Sequence, residues 1–163
     1  DGDLLSVDCG AIVAGWHGDA AVTVVVGGPL AARPEDLALS QVTEDSLYAG
    51  IAALRVGERL YAVGEAVEAS IEAAGERAGR AYGIVEDYVG HTIGTEMHLD
   101  PQIFNYAVRT RGPMVRSGYT GAIEPMVTIL PPPPLRKAGS TARAQRKVPV
   151  RLMPMIDCHS SSA

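Results

Sequence analysis

The chain opens in short apolar, β-branched runs and then changes to a helical period. Residues 4–15, LLSVDCGAIVAG, and 19–28, DAAVTVVVGG, flank GWHG and predict a β-hairpin that turns through that segment. From residue 36 to 55, Leu39, Val42, Leu47, Ile51 and Leu54 recur at helical spacing, VGERL (56–60) breaks the pattern, and a second helix is expected over about residues 60–74. Glu65, Glu68 and Glu72 lie along one side of it and read as a solvated face. YGIVEDYVG (82–90) returns to strand character, GHTIGTEMH (90–98) reads as a glycine-broken loop, and TGAIEPMVTIL (120–130) is a further strand. The order predicts an α+β chain with mostly antiparallel pairing, and no fixed short repeat is present.

Composition narrows the class. With 163 residues, 47% hydrophobic and 20% charged, the chain has enough apolar material for one soluble globular domain with a real core. The longest apolar run, Ala20–Val26, contains Thr23 and falls far short of the roughly 20 residues of a membrane helix. Nor does a basic-then-apolar leader open the chain, so the expectation is a cytoplasmic protein without a membrane partner. Cys9 and Cys158 are too few for a disulfide framework and too far apart for a CxxC metal knuckle.

The net charge of −5 hides an asymmetry: residues 1–124 carry 18 acidic and 8 basic side chains, residues 125–163 carry 1 acidic and 6 basic. The change coincides with LPPPPL (130–135), which favours an extended polyproline path. Two parts are therefore expected, a folded domain over 1–129 and a proline-rich, then basic tail over 130–163. The tail lacks the interleaved aromatics of a single-strand platform, so no specific nucleic acid partner is expected. Asp1 in place of Met reads as a start inside a longer protein.

Three acids break the strand rule. Aspartate is depleted in strands and a buried unpaired carboxylate is expensive, yet Asp8 lies inside SVDCG, Asp19 opens DAAVT, and Glu124 stands between Ile123 and Pro125. If the hairpin folds back, Asp8 and Asp19 can face each other from neighbouring strands. No lysine or arginine occurs before Arg33, which weakens a local ion pair and favours a shared cation. For Glu124 an edge strand is the competing explanation, because Pro125 suits an edge or bulge. Gly90 and Gly94 let the backbone bend so that His91 can reach inward while His98 approaches from another side. Two Asp, one His and one Glu form a mixed oxygen and nitrogen donor set of the kind that suits Mn, Fe, Co or Zn.

VDCGAIVAGWHGDAAVTVVVG, GHTIGTEMH followed by LDP, and AIEPMVT together resemble the type I methionine aminopeptidases of the pita-bread (creatinase/aminopeptidase) metallopeptidase family. The resemblance runs from about Asp1 to Thr128, with separate elements in the family's order. It implies an incomplete pita-bread fold, a mostly antiparallel curved sheet with flanking helices. It also implies two divalent metal ions (Co, Mn, Fe or Zn) held by Asp8, Asp19, His91 and Glu124, with Glu124 as proton acceptor. A water between two metals about 3.5 Å apart would attack the peptide carbonyl, and His98 would steady the oxyanion. Met97, where many members have an aromatic residue, would line the methionine pocket. The implied substrate is the N-terminal methionine of a new polypeptide, which suggests proximity to ribosomes.

Some positions depart from the family. Thr92 stands where GHGIG has its middle glycine. A substrate-contacting histidine precedes the first aspartate in the family, before this chain begins. The family's last, bridging glutamate has no counterpart, since no Glu follows Glu124; Asp157 and His159 are the remaining candidates. The resemblance ends where the prolines begin, as a truncated or frame-shifted end would. The expectation is a methionine aminopeptidase by descent, with impaired activity in this chain. The alternatives are an Xaa-Pro peptidase of the same fold, or a non-catalytic pita-bread protein whose basic tail touches ribosomes or RNA.

Overall fold

β-Branched residues carry the chain through a hairpin of β1 (Leu4–Val13) and β2 (Trp16–Val25), paired antiparallel from Leu4↔Val25 to Val13↔Trp16. The computed structural model describes residues 1–129 and the strand Lys147–Pro149. The hairpin turns at Ala14–Gly15, not through GWHG, with φ of 50° and 82°. A two-residue turn with both φ positive matches the right-handed twist of the strands. Trp16, His17 and Gly18 are thereby drawn into β2, and His17 shares a face with Asp19.

Two helices follow, α1 (Pro34–Ala53) and α2 (Ala62–Ala78). The first begins two residues before its apolar repeat because Pro34 presets the helical φ at the first position. Glu35 and Asp36 then sit in the first turn, where the helix dipole favours them, and Arg33 donates two hydrogen bonds of 2.8 Å to the Asp36 carboxylate. The second helix runs beyond the expected end to Ala78, where Gly79 caps it in the left-handed region.

Leu39 and Leu47 of α1 pack with Val63, Val67 and Ile71 of α2, each contributing about 1.5–3 kcal/mol on full burial. Gly50 permits the contact, since a β-carbon there would stand 2.8 Å from Val67 Cγ2. Glu65 and Glu72 are exposed as expected, but Glu68 is half-buried and accepts a 2.8 Å hydrogen bond from the Ala107 N–H.

The remaining strands are β3 (Tyr82–Ile84), β4 (Gly90–Thr92), β5 (Leu99–Ile103), β6 (Gly121–Ala122), β7 (Met126–Ile129) and β8 (Lys147–Pro149). They form two antiparallel sheets, β3-β7-β8 and β5-β4-β6. Ile103, Ile123 and Val127 carry this region into the helical core.

Two expectations change here. The stretch read as one strand at 120–130 is interrupted at Glu124–Pro125, since Pro125 has no N–H to extend a ladder. The stretch read as a loop from residue 90 begins with a buried central strand. Gly90 is what lets that strand fit: a β-carbon there would lie 2.1 Å from the Ala122 carbonyl oxygen. No helix among the described residues is long and apolar enough to cross a membrane.

Candidate metal centre

Three separate segments deliver three buried side chains to one point. Asp19 comes from β2, His91 from the middle of β4, and Glu124 from the gap between β6 and β7. Each offers a ligand atom, and these atoms all lie within 4.8 Å of one another. His91 Nε2 is 3.0 Å from Glu124 Oε1 and 3.5 Å from Asp19 Oδ2. Both carboxylates are almost completely buried, with side-chain exposures of 2% and 4%.

The imidazole is held for this role from behind. Its Nδ1–H donates to the Thr92 carbonyl at 3.0 Å, which turns Nε2 toward the carboxylates. Burial disfavours the imidazolium, but Glu124, the Thr92 carbonyl and Asp19 together outweigh it and hold the His91 pKa above its ordinary value. A proton therefore lodges readily among these groups, and a divalent cation satisfies the same charge balance more fully. Two buried carboxylates and one neutral imidazole nitrogen at this spacing fit a first-row divalent ion.

The other candidate residues lie outside this group of three. Asp8 lies on the same face of the hairpin as Asp19, offset by two residues along each strand, because Asp8 pairs with Ala21 and Asp19 with Gly10. Its side chain is exposed and stands outside the group of three. His98 is exposed, yet its ring centroid is 4.4 Å from that of His91, with the rings inclined at 63°. The two imidazoles border a cleft of ≈ 320 Å³ with Gly90, Leu99 and Gln102. Met97 is half-buried and folds over β1, so that a β-carbon on Gly10 would stand 2.7 Å from Met97 Cε. Asp157 and His159 lie outside the described residues.

Two supports had no mark in the sequence. The His17 N–H donates to the Gly94 carbonyl at 2.8 Å and fastens the hairpin to the loop after His91. Asn105, fully buried, donates through Nδ2 to the Glu124 carbonyl at 2.8 Å.

A buried Asp, His and Glu brought together by antiparallel strands form a group that could hold a metal ion, as metallopeptidase sites do. Residues 1–151 match the sequence profile of metallopeptidase family M24, and the chain belongs to that family. It is 52% identical over 128 residues to methionine aminopeptidase 1 of Mycobacterium tuberculosis, covering 78% of this chain and 47% of that protein. To methionine aminopeptidase 1 of Bacillus subtilis it is 40% identical over 127 residues, covering 78% and 48%. The crystal structure of the Thermotoga maritima methionine aminopeptidase superposes with a TM-score of 0.69 at 40% identity, over 78% of this chain and 48% of that one. The Pyrococcus furiosus prolidase shares the fold at 19% identity, with a TM-score of 0.61 over 93% of this chain and 38% of its own. The fold is thus the pita-bread fold, and the chain spans about half the length of the curated relatives it matches. Membership of the family implies divalent metal ions.

Proposed function

We propose that this chain carries the metal-binding part of an aminopeptidase that removes N-terminal methionine from polypeptides. The observation that carries the reading is the convergence of three buried ligand atoms within 4.8 Å, with the His98 ring beside His91. Asp19, His91 and Glu124 would hold one divalent ion, and Asp8, on the same sheet face, would contribute to a second. When bound, such ions polarise a peptide carbonyl and lower the pKa of water.

The protein's own groups do the rest. Glu124 accepts the proton released by the attacking water, its carboxylate being buried and already within reach of an imidazole. His98, exposed at the rim, donates a hydrogen bond to the carbonyl oxygen as negative charge develops there. Met97, resting on Gly10, forms an apolar wall for the side chain of the first residue. New polypeptides begin with methionine where they are made, so the reading assigns the protein to the cytoplasm near ribosomes.

The test is hydrolysis of Met-Ala-Ser by the chain in Mn²⁺ or Co²⁺, beside an Xaa-Pro dipeptide and with metal stoichiometry measured on the same sample. Methionine release that is lost on chelation supports the proposal. Selective Xaa-Pro cleavage would replace it with a prolidase-type activity, and stoichiometric metal binding without turnover of either peptide would reduce it to a binding role.

A further inference from the structure

Tyr88 and Glu124 both lie where the strand ladders lapse. Tyr88 sits in the loop between β3 and β4, three residues before His91, and Glu124 falls between β6 and β7. Carbonyl groups at such places still need donors. A single side chain supplies one to both: Asn105, 0% exposed and just past the end of β5, directs Nδ2 to the Glu124 carbonyl at 2.8 Å and to the Tyr88 carbonyl at 3.3 Å.

The arrangement has a cost. Asn105 Oδ1 is buried with no hydrogen-bond partner among the described residues. Burying a carboxamide takes its polar atoms out of water, whereas an apolar residue of similar volume would bury none there. A carboxamide in this position makes sense if its donor sets something that packing alone would leave loose.

What it spans is the approach to one ligand and the backbone of another. With Ile103 paired to Gly90 on the adjacent strand, β5 already fixes the start of β4. Asn105 extends that hold to Glu124, which has Pro125 behind it and so lacks the next backbone N–H.

We propose that Asn105 is a positioning residue for the metal centre: its amide ties the His91 segment to the Glu124 backbone and sets the 3.0 Å approach of Nε2 and Oε1. This rests on the metal-centre reading above. It acts through main-chain atoms, as outer-shell groups do when they orient ligands.

Asn105→Leu removes the donor and the acceptor together, and Asn105→Asp keeps the shape while removing the N–H donors. Each would be titrated with Co²⁺ by visible absorption, with far-UV circular dichroism confirming the fold and the His91 ring proton resonances recorded without metal. Glu124→Gln serves as the ligand-loss control. The expected result is a retained dichroism spectrum, Co²⁺ affinity lower by at least about tenfold with an altered visible band, and displaced His91 resonances. A folded leucine variant with wild-type affinity, band and His91 resonances would overturn the inference. If both variants lose the fold, Asn105 serves stability alone and the inference is equally overturned. A wild-type chain that binds no Co²⁺ would sink the metal-centre reading, and the positioning role with it; binding by the wild type but not by Glu124→Gln upholds that reading whatever the Asn105 variants do.

Discussion

Glu124→Gln should remove most of the thermal stabilisation that a divalent ion gives this chain. An ion present at a hundred times its dissociation constant stabilises the native state by about 2.7 kcal/mol. Losing an outer-shell partner costs metal sites about 10–100-fold in affinity, so exchanging a charged ligand in a group of three should cost at least about 100-fold. At the same ion concentration the variant would then sit near its own dissociation constant, where the stabilisation is about 0.4 kcal/mol. For a domain of this size each kcal/mol moves Tm by about 2–4 °C, so a rise of about 5–11 °C in the wild type should shrink to about 1–2 °C. Scanning calorimetry with excess Mn²⁺ and with chelator measures both shifts. Each protein is compared with its own metal-free form, because the substitution also removes a charge beside His91. An undiminished metal-induced rise in Glu124→Gln would mean that the ion binds elsewhere, and the reasoning from the three converging ligands would fail.

Metal affinity should also depend on pH through His91. Its pKa is raised, so the metal-free site keeps, to higher pH than a free imidazole does, a proton that must leave before Nε2 can bind an ion; below that pKa, calorimetric titration should show affinity falling about tenfold per pH unit, and above it the dependence on this group should vanish. Gly90→Ala forces a β-carbon to 2.1 Å from the Ala122 carbonyl oxygen, a backbone atom that cannot swing aside. It should destabilise the chain by about 3 kcal/mol in urea denaturation, at the upper end for overpacking, and an unchanged midpoint would contradict the close strand approach. Val7 and Val22 are direct cross-strand partners, 47% and 49% exposed, within an apolar sheet face that also includes Leu5 and Val24. Changing both to threonine keeps β-branching and should reduce light scattering of the concentrated protein without altering Mn²⁺ affinity.

The helices were legible because Leu39, Leu47 and Leu54 repeat at the right spacing and all are buried. The buried cluster was legible for a different reason: Asp19 and Glu124 are acids in apolar surroundings, and both are buried beside a histidine. Shorter features carry too little pattern. Three residues, GHT, cannot display a two-residue period, so β4 passed for part of a loop. Ala14 at φ 50° has no residue-type mark of a turn, whereas the glycines of GWHG do, and the hairpin was displaced accordingly. Pro125 did announce a break, but an edge strand explains a proline as well as a gap does. Asn105 was invisible, since nothing local distinguishes an asparagine that bonds distant carbonyls from one in an ordinary turn.

The misplaced turn matters because the hairpin has two unlike faces. One carries Asp8, Gly10, His17 and Asp19; the other carries Leu5, Val7, Ala11, Val22 and Val24. In a two-residue period, slipping the pairing by one residue would move Asp19 to the aliphatic face and bring Ala20 to its place beside His91. Ala14–Gly15 therefore does more than reverse the chain. By setting Gly10 opposite Asp19, it also leaves room on that face for Met97, which a side chain at Gly10 would crowd. The bond from His17 N–H to the Gly94 carbonyl then joins this register to the loop carrying Met97 and His98. The placement of the three buried side chains and the wall proposed for the substrate thus depend on one two-residue turn, although none of those side chains lies within it.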